Sequence, residues 1–293
     1  MAKVSFIGLG VMGFPMAGHL ATSGHDVTVY NRTKIKAESW ATKYKGKVAD
    51  TPCDAAKDAE FIMICVGNDN DLRSIMNGPD GVLSSATPGA VIVDHTTTSA
   101  IVAREMDDAC RVQGLAFLDA PVSGGQAGAD NGVLTIMVGG EETTYTNAAP
   151  ILESYAKSQK LMGPVGSGQL TKMVNQICIA GVVQGLAEGV HFAQQAGLDV
   201  QSVFDVISHG AAQSWQMENR VATMNNDEYN HGFAVEWMRK DLGFALEEAK
   251  RGGVSLPITA LVDQFYADVE NLGGKRWDTS SLLTRLQALS PKK

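Results

Sequence analysis

Phe6-Ile7-Gly8-Leu9-Gly10-Val11-Met12-Gly13-Phe14-Pro15-Met16 stands close to the start of the chain. The apolar run Val4-Ser5-Phe6-Ile7 leads into it and reads as a strand. A helix-forming segment from about Phe14 to Ser23 leads out of it. Between them lies Gly-x-Gly-x-x-Gly, formed by Gly8, Leu9, Gly10, Val11, Met12 and Gly13. In a strand–turn–helix context each glycine has a job: the first permits a tight turn, the second lets a pyrophosphate approach the backbone, and the third lets helix pack on strand. The helix N-terminus then favours the phosphate charge. Taken alone, the same six residues are also a glycine-rich turn kept only for packing. The strand before and the helix after favour a dinucleotide site.

Outward from this turn, short β-rich runs alternate with helical segments. Val27–Tyr30 reads as the next strand, Lys34–Tyr44 as a helix, and Phe61–Val66, Val91–Asp94, Phe117–Ala120 and Leu134–Val138 as further strands. Uninterrupted apolar runs of this length suit strands covered on both faces, and the alternation implies a parallel sheet with helical crossovers. The second half has another character. After Gly163-Pro164-Val165-Gly166-Ser167-Gly168 comes a proline-free stretch from Gln169 to about Ala196, long enough for a helix of roughly 40 Å. Val200–Ser208, Trp237–Arg251 and Ile258–Asn271 keep the helical pattern, and no strand stands out. The expected fold is therefore α/β: a Rossmann-type doubly wound sheet over residues 1–165, then an all-α domain over 166–293 opened by a long interdomain helix.

Bulk properties narrow the class. The chain has 293 residues and a net charge of −8, with a pI near 5.2. That argues against a nucleic-acid partner, which selects for a basic stripe. Cys53, Cys65, Cys110 and Cys178 form no Cys-x-x-Cys pair, and Cys65 and Cys178 sit in apolar runs that suggest packed small hydrophobes. A reducing compartment without disulfides is expected. The six histidines are scattered, so no protein-built metal site is expected. No secretory signal and no run of about 18 uncharged apolar residues is visible, so the expectation is a cytoplasmic protein with no membrane span.

The end of the second strand bears on the coenzyme. NAD binders commonly place a carboxylate about 20 residues past the glycines, for the ribose hydroxyls. Here the chain reads Asn31-Arg32-Thr33, with Lys34 and Lys36 nearby. Arg32 can pair with a 2′-phosphate and Thr33 can donate to it, so NADP is favoured over NAD. Arg32 is also the kind of residue that simply begins a solvated helix. Val66 and Gly67 end another strand, where a backbone contact to the adenosine or ribose half is expected.

Four ordered blocks across nearly the whole chain resemble the β-hydroxyacid dehydrogenase family, which includes 3-hydroxyisobutyrate dehydrogenase, tartronate semialdehyde reductase and glyoxylate/succinic semialdehyde reductases. The first block is Phe6–Met16. The second is Asp119-Ala120-Pro121-Val122-Ser123-Gly124-Gly125 with Gly132-Val133-Leu134-Thr135-Ile136-Met137-Val138-Gly139-Gly140. The third is Gly166-Ser167-Gly168-Gln169-Leu170-Thr171-Lys172-Met173-Val174-Asn175-Gln176, and the fourth Lys240-Asp241-Leu242.

The resemblance implies an NAD(P)-dependent oxidoreductase. It would interconvert a small 3-hydroxy acid, or a 2-hydroxy acid such as glycolate, with its semialdehyde or oxo acid. Ser123, Gly124 and Gly125 offer backbone N–H groups and a hydroxyl, a nest suited to a carboxylate, and the resemblance implies that the substrate carboxylate docks there. Lys172 lies one turn into the long apolar helix, with Asn175 and Gln176 on its face at i+3 and i+4. A buried cation that can yield a proton suits a carbonyl under reduction. The resemblance implies that Lys172 is the general acid in reduction and the general base in oxidation, with Asn175, then Gln176, orienting substrate. Lys240 matches a position lining nicotinamide or substrate, with Asp241 as its partner, and Thr96 in His95-Thr96-Thr97 matches a coenzyme-contacting hydroxyl. Trp215, Phe233 and Trp237 are candidate pocket walls, although helix aromatics more often pack in a core. The family is commonly a homodimer or homotetramer. Imine reductases look similar but usually carry Asp or Tyr where Lys172 stands. 6-Phosphogluconate dehydrogenase needs a longer helical region. A non-catalytic NADP-binding scaffold would not require the lysine.

Overall fold

A computed structural model describes residues 1–290. Its backbone divides into two compact units, Met1–Lys172 and residues 173 onward. The division falls inside one helix.

The first unit begins with β1 (Lys3–Ile7), α1 (Gly13–Thr22), β2 (Asp26–Tyr30), α2 (Lys34–Tyr44), β3 (Lys47–Val48) and α3 (Pro52–Ala56). It continues with β4 (Phe61–Ile64), α4 (Asp69–Asn77), β5 (Val91–Asp94), α5 (Ala100–Val112), β6 (Ala116–Asp119) and β7 (Val122–Ser123). It closes with α6 (Gly125–Asp130), β8 (Leu134–Gly139), α7 (Glu142–Leu152), β9 (Ala156–Gly163) and the first turn of α8 (Ser167–Gln195). The sheet runs β3-β2-β1-β4-β5-β6-β8-β7, with β9 on β8. From β3 to β6 every pairing is parallel. The chain reverses at β1, the point from which β2 and β4 leave in opposite directions. Coenzymes of doubly wound folds sit at such a switch point, at the carboxyl ends of the strands.

Helices cover both faces, so the central strands β1, β4, β5 and β6 are mostly buried. Val4 and Phe6 of β1 face a core completed by Met16, Leu20, Val29, Trp40 and Tyr155. Ile7 faces the opposite core, with Ile62, Ile64, Ile92, Met106 and Phe117. Each large aliphatic side chain buried in this way contributes about 1.5–3 kcal/mol of transfer free energy. Trp40 is fully buried, and its indole N–H is satisfied by the Phe14 carbonyl at 3.1 Å.

Two features depart from the expected parallel sheet. β8 pairs antiparallel with β6 and β7, because the two-residue β7 and the six-residue α6 fill the connection and return the chain in the other direction. The edge strand β9 was not expected. Its sequence, AKSQKLMG, lacks β-branched residues, and its positions are half-buried or exposed, with Lys157 and Lys160 among the exposed ones, a composition that protects a sheet edge.

The second unit contains the remainder of α8, then α9 (Val200–Ile207), α10 (Trp215–Asn225), α11 (Val235–Gly252), α12 (Pro257–Asn271) and α13 (Leu282–Leu289). Among its described residues, extended pairing is limited to the isolated bridge Ala234–Asp278. The core joins Ala180, Val183, Leu186, Ala187 and Val190 of α8 to Phe204, Val221, Met238, Leu242, Tyr266 and Leu283. α10 and α13 were not expected. α10 buries only Met217, Val221 and Met224, and its start is fixed by the Ser214 hydroxyl accepting the Met217 N–H. By length and composition α8 is apolar enough to cross a membrane, with a mean hydropathy of 1.2 in its best window. Its buried side chains join the helical core, while Val174, Val182 and Phe192 of the same helix are exposed. The four cysteines are free thiols. Cys65 is half-buried and packs against the first core as expected, whereas Cys178, contrary to expectation, is exposed, since its position on α8 falls opposite the buried stripe. No cluster of three potential metal ligands occurs among the described residues.

His95 is a buried polar group in the first unit. Burial pushes its imidazole down to about 4 from an ordinary 6.5, against a smaller opposing effect of its hydrogen bond to the Ala120 carbonyl. The unfolded chain therefore binds the proton more readily between these values, so stability is complete above pH 6.5 and is lost as pH falls toward 4. Two and a half pH units correspond to about 3 kcal/mol. Urea unfolding at pH 7 and pH 4.5 should show this loss in the wild type and a shallower one in His95→Asn. Equal slopes in the two proteins would remove His95 from the account.

Candidate active site

The glycine turn separates structural from open positions. Gly8 has φ +98°, and a Cβ there would lie 2.2 Å from the Cys65 carbonyl oxygen. A Cβ on Gly13 would lie 1.9 Å from the Gly8 carbonyl oxygen. Both glycines are thus required by the fold itself. Gly10 differs: a Cβ there would meet nothing within 4 Å. It is exposed, as is Val11, while Leu9 is buried and Met12 occupies the N-cap of α1. The first-turn amides of a helix lack intrahelical acceptors. An open glycine beside such amides fits the pyrophosphate of a dinucleotide.

At the end of β2, the Asn31 carboxamide turns inward. Its Oδ1 accepts the Leu9 N–H at 2.8 Å and its Nδ2 donates to the Thr33 carbonyl at 3.0 Å. Asn31 therefore braces the glycine turn. Arg32 is almost wholly exposed, with Nη1 3.7 Å from Oδ1 of Asp71 in the first turn of α4. Thr33 stands at the N-cap of α2, without a side-chain cap bond.

The next strand ends are tied together. The Val66 N–H donates to Oγ1 of Thr96 at 3.0 Å, and the Thr96 N–H donates to Asp94 Oδ1 at 3.0 Å. Gly67 follows, half-buried. Gln169 has no role evident from the sequence, and the structure supplies one. Its Nε2 donates to the Thr96 carbonyl at 2.7 Å and its Oε1 accepts the Thr98 N–H at 3.0 Å. Asp119 was likewise missed. Its two oxygens accept the N–H groups of Gly166 at 2.7 Å and Gln169 at 2.8 Å, at the start of α8. Burial pushes its carboxyl above the usual range, while these backbone donors pull it back. Only a buried partner could have revealed either role in advance, and sequence spacing does not show one.

Ser123 is half-buried at the end of β7. Gly124 and Gly125 follow, exposed and with φ of +129° and +60°. A positive φ is a backbone conformation that favours glycine, and successive backbone N–H groups at such turns are the material of an anion nest. Lys172 lies within α8 at 7% exposure.

In the second unit, three nominated residues meet around one carboxylate. Asp241, 2% exposed, accepts the Gln176 Nε2–H at 2.7 Å and stands 3.2 Å from Lys240 Nζ. Gln176 Oε1 in turn accepts from Asn175 Nδ2 at 2.8 Å. A carboxylate only accepts, so it orients the Gln176 amide, and the Gln176 oxygen then orients Asn175. Lys240 Nζ also lies 5.9 Å from the Trp237 ring centre and 5.3 Å from that of Phe244. Sequence reading treated Asp241 only as a partner for Lys240; the structure makes it the centre of the cluster. Trp215 is half-exposed beneath the Arg220 guanidinium, and the Phe233 backbone donates to Asp278.

Two shallow depressions, of about 510 and 400 Å³, lie at the opposite rim, around Lys3, Glu60, Phe61 and Val91 and around Lys3, Asp26 and Lys47. The nominated residues of the first unit sit instead at the carboxyl ends of the strands and the segments that follow them.

The glycines permit a direct test. In Gly13→Ala a methyl group overlaps backbone, so a loss of about 2 kcal/mol is expected, or a fall of roughly 4–8 °C in melting temperature. Gly10→Ala should melt within about 1 °C of wild type yet bind dinucleotide at least about tenfold more weakly, as lost backbone approach costs one charge-assisted contact. Scanning fluorimetry and a fluorescence titration measure both. Undiminished binding by Gly10→Ala would show that the turn is kept only for packing.

Comparison with known proteins agrees with this geometry. Residues 3–166 match the family described as the NAD binding domain of 6-phosphogluconate dehydrogenase. Residues 166–286 match that described as NAD-binding of NADP-dependent 3-hydroxyisobutyrate dehydrogenase. An uncharacterized oxidoreductase of Shewanella frigidimarina is 62% identical, over 98% of this chain and 99% of its own. The 2-hydroxy-3-oxopropionate reductase of Escherichia coli is 33% identical, over 99% of each chain. The solved structure of 3-hydroxyisobutyrate dehydrogenase from Mycobacterium tuberculosis with L-serine superposes with a TM-score of 0.87 at 31% identity, over 98% of this chain and 99% of the other. The chain belongs to the β-hydroxyacid dehydrogenase family of NAD(P)-dependent oxidoreductases.

Proposed function

We propose that this protein reduces a small carboxylated aldehyde or oxo acid to the hydroxy acid, and catalyses the reverse, with Lys172 as general acid and base and NADP as preferred coenzyme. The observation that carries this reading is Lys172 itself. An ammonium is strongly hydrated and is rarely buried without a task, yet Lys172 is buried one turn into α8. The names of the relatives support the substrate class, since 3-hydroxyisobutyrate and 2-hydroxy-3-oxopropionate are both small carboxylates with a hydroxyl or carbonyl group nearby.

When bound, the nicotinamide supplies or removes a hydride. The remaining work belongs to the chain. As a carbonyl carbon gains the hydride, its π pair moves to oxygen, and the Lys172 ammonium gives that oxygen a proton; the reverse reaction returns the proton to the neutral amine. Ser123 with the Gly124 and Gly125 amides holds the substrate carboxylate, and Asn175 offers a polar contact to the hydroxyl. Residues 1–165 serve the coenzyme, with Val66, Gly67 and Thr96 along its path, and residues 166–293 supply Lys172, Asn175, Gln176 and Lys240. Arg32 supports the preference for NADP: it is exposed, and its own strand end carries no carboxylate, the nearby Asp71 belonging to α4.

Turnover is read from NADPH absorbance at 340 nm with glyoxylate, succinic semialdehyde and tartronate semialdehyde as probes. Lys172→Ala should lower kcat by about a thousandfold, within the span of a general acid, while NADPH still binds. Turnover within a few-fold of wild type would remove Lys172 from the chemistry. Arg32→Ala should reduce the ratio of kcat/KM for NADPH over NADH by about tenfold or more, the value of one charge-assisted phosphate contact. A wild type that already prefers NADH would refute the assignment of Arg32.

A further inference from the structure

The segment between β6 and the carboxylate nest has an unusual anchor. Its first residue, Ala120, continues the ladder by donating its N–H to the Asp94 carbonyl at 2.7 Å. Its own carbonyl has passed the end of β6 and is buried. A side chain satisfies it: His95 Nδ1 lies 2.7 Å away. The other ring nitrogen, Nε2, lies 2.8 Å from the hydroxyl of Tyr155, at the corner between α7 and β9. His95 is 2% exposed, and Ala120 and Tyr155 are fully buried.

The proton positions follow from the partners. A carbonyl only accepts, so Nδ1 carries the hydrogen and donates. Nε2 of the neutral ring is then bare, and the Tyr155 hydroxyl donates to it. The alternative tautomer would set two lone pairs against each other at 2.7 Å. Burial, which holds the imidazole neutral, agrees with this arrangement.

The geometry then runs directly to Ser123. Fixing the Ala120 carbonyl fixes the plane of the peptide entering Pro121. The Pro121 ring fixes the next φ. The Pro121 carbonyl is held by the Met137 N–H at 3.1 Å. Few soft dihedrals remain before Val122 and Ser123 pair with Ile136 and Thr135 on β8. On the other side, the residue after His95 is Thr96, whose Oγ1 holds the Val66 N–H.

We propose that His95 is a positioning residue for the reaction. As the neutral Nδ1–H tautomer, with Tyr155 as its hydrogen-bond donor, it aims the Ser123–Gly125 loop and ties it to the strand end that carries Thr96. The functional consequence rests on the reading of that loop as the carboxylate site; the positioning itself does not. His95 is distinct from the groups that touch substrate, because its ring is enclosed.

Three measurements test this. Histidine ¹⁵N spectra report the tautomer, with a protonated Nδ1 and a bare Nε2 expected from pH 6 to 8. Amide hydrogen exchange at Ser123, Gly124 and Gly125 reads the loop without any turnover, and should accelerate about tenfold or more in His95→Leu, which keeps bulk but removes the donor. KM for glyoxylate or succinic semialdehyde should rise about tenfold in His95→Leu, with the NADPH dissociation constant within about threefold of wild type. His95→Asn, which restores an amide donor, should recover much of that KM, and Tyr155→Phe should lie between the two. An Nε2–H tautomer would overturn the proposal. So would unchanged exchange in the loop, or a KM, NADPH affinity and melting temperature that move together in both His95 variants, since that pattern is packing damage alone. If His95→Leu fails to fold, the tautomer and the His95→Asn comparison still decide. A wild type that turns over none of the probes would refute the proposed reaction while leaving the loop measurement to judge His95.

Discussion

One buried carboxylate fixes where the long helix α8 begins. Asp119 ends β6 and receives the N–H groups of Gly166 and Gln169, so the first turn of α8 starts against the sheet and nowhere else. Close packing enforces the placement: a Cβ on Gly168 would lie 2.4 Å from the Met137 carbonyl oxygen. A carboxylate at a helix N-terminus is also favoured by the helix dipole. Replacing it by an apolar residue would leave buried amides unsatisfied, at a cost of about 1–3 kcal/mol each. Lys172 lies one turn further along, and its height above the sheet is set by this contact.

The same short segment performs several tasks in order. Asp119 caps α8, Ala120 is gripped by His95, Pro121 removes a rotational freedom, and Ser123 leads into the glycine pair whose φ values are both positive. Gln169, in the first turn of α8, then reaches across to both Thr96 and Thr98. In the helical unit, Asp241 has a parallel role. A single acceptor orders Gln176, Asn175 and Lys240, although each of those side chains is flexible by itself. In both units buried carboxylates do the aiming, and the residues nominated for chemistry are aimed by them.

Much of this was legible in the chain. The turn from Gly8 to Gly13 could be read because Gly8 and Gly13 answer to local steric demands, which the structure shows as backbone overlaps. The principal strands were legible because burial on both faces makes them continuous apolar runs. β9 was not, because an edge strand is selected for polarity and lysine rather than for apolar character. α10 was missed for a related reason: only three of its residues enter the core. Cys178 misled because an apolar run on a helix says nothing about which face is covered, and its own face is open. Asn31 was nominated for the coenzyme, and only the folded chain shows that its side chain also braces the glycine turn.

Sequence by itself determined the alternation of strand and helix, the dinucleotide turn, and the identity of the lysine-bearing helix. These depend on contacts close along the chain, where spacing and residue type carry the information. Tertiary structure alone decided the roles of His95, Asp119, Gln169 and Asp241. The partners of His95 lie 25 and 60 residues away, those of Asp119 47 and 50, those of the Gln169 side chain 71 and 73, and the Gln176 that Asp241 orders lies 65 away. A histidine, a glutamine or an aspartate has no fixed meaning until burial removes water as its partner. Only the folded chain specifies which carbonyl, amide or ammonium takes that place.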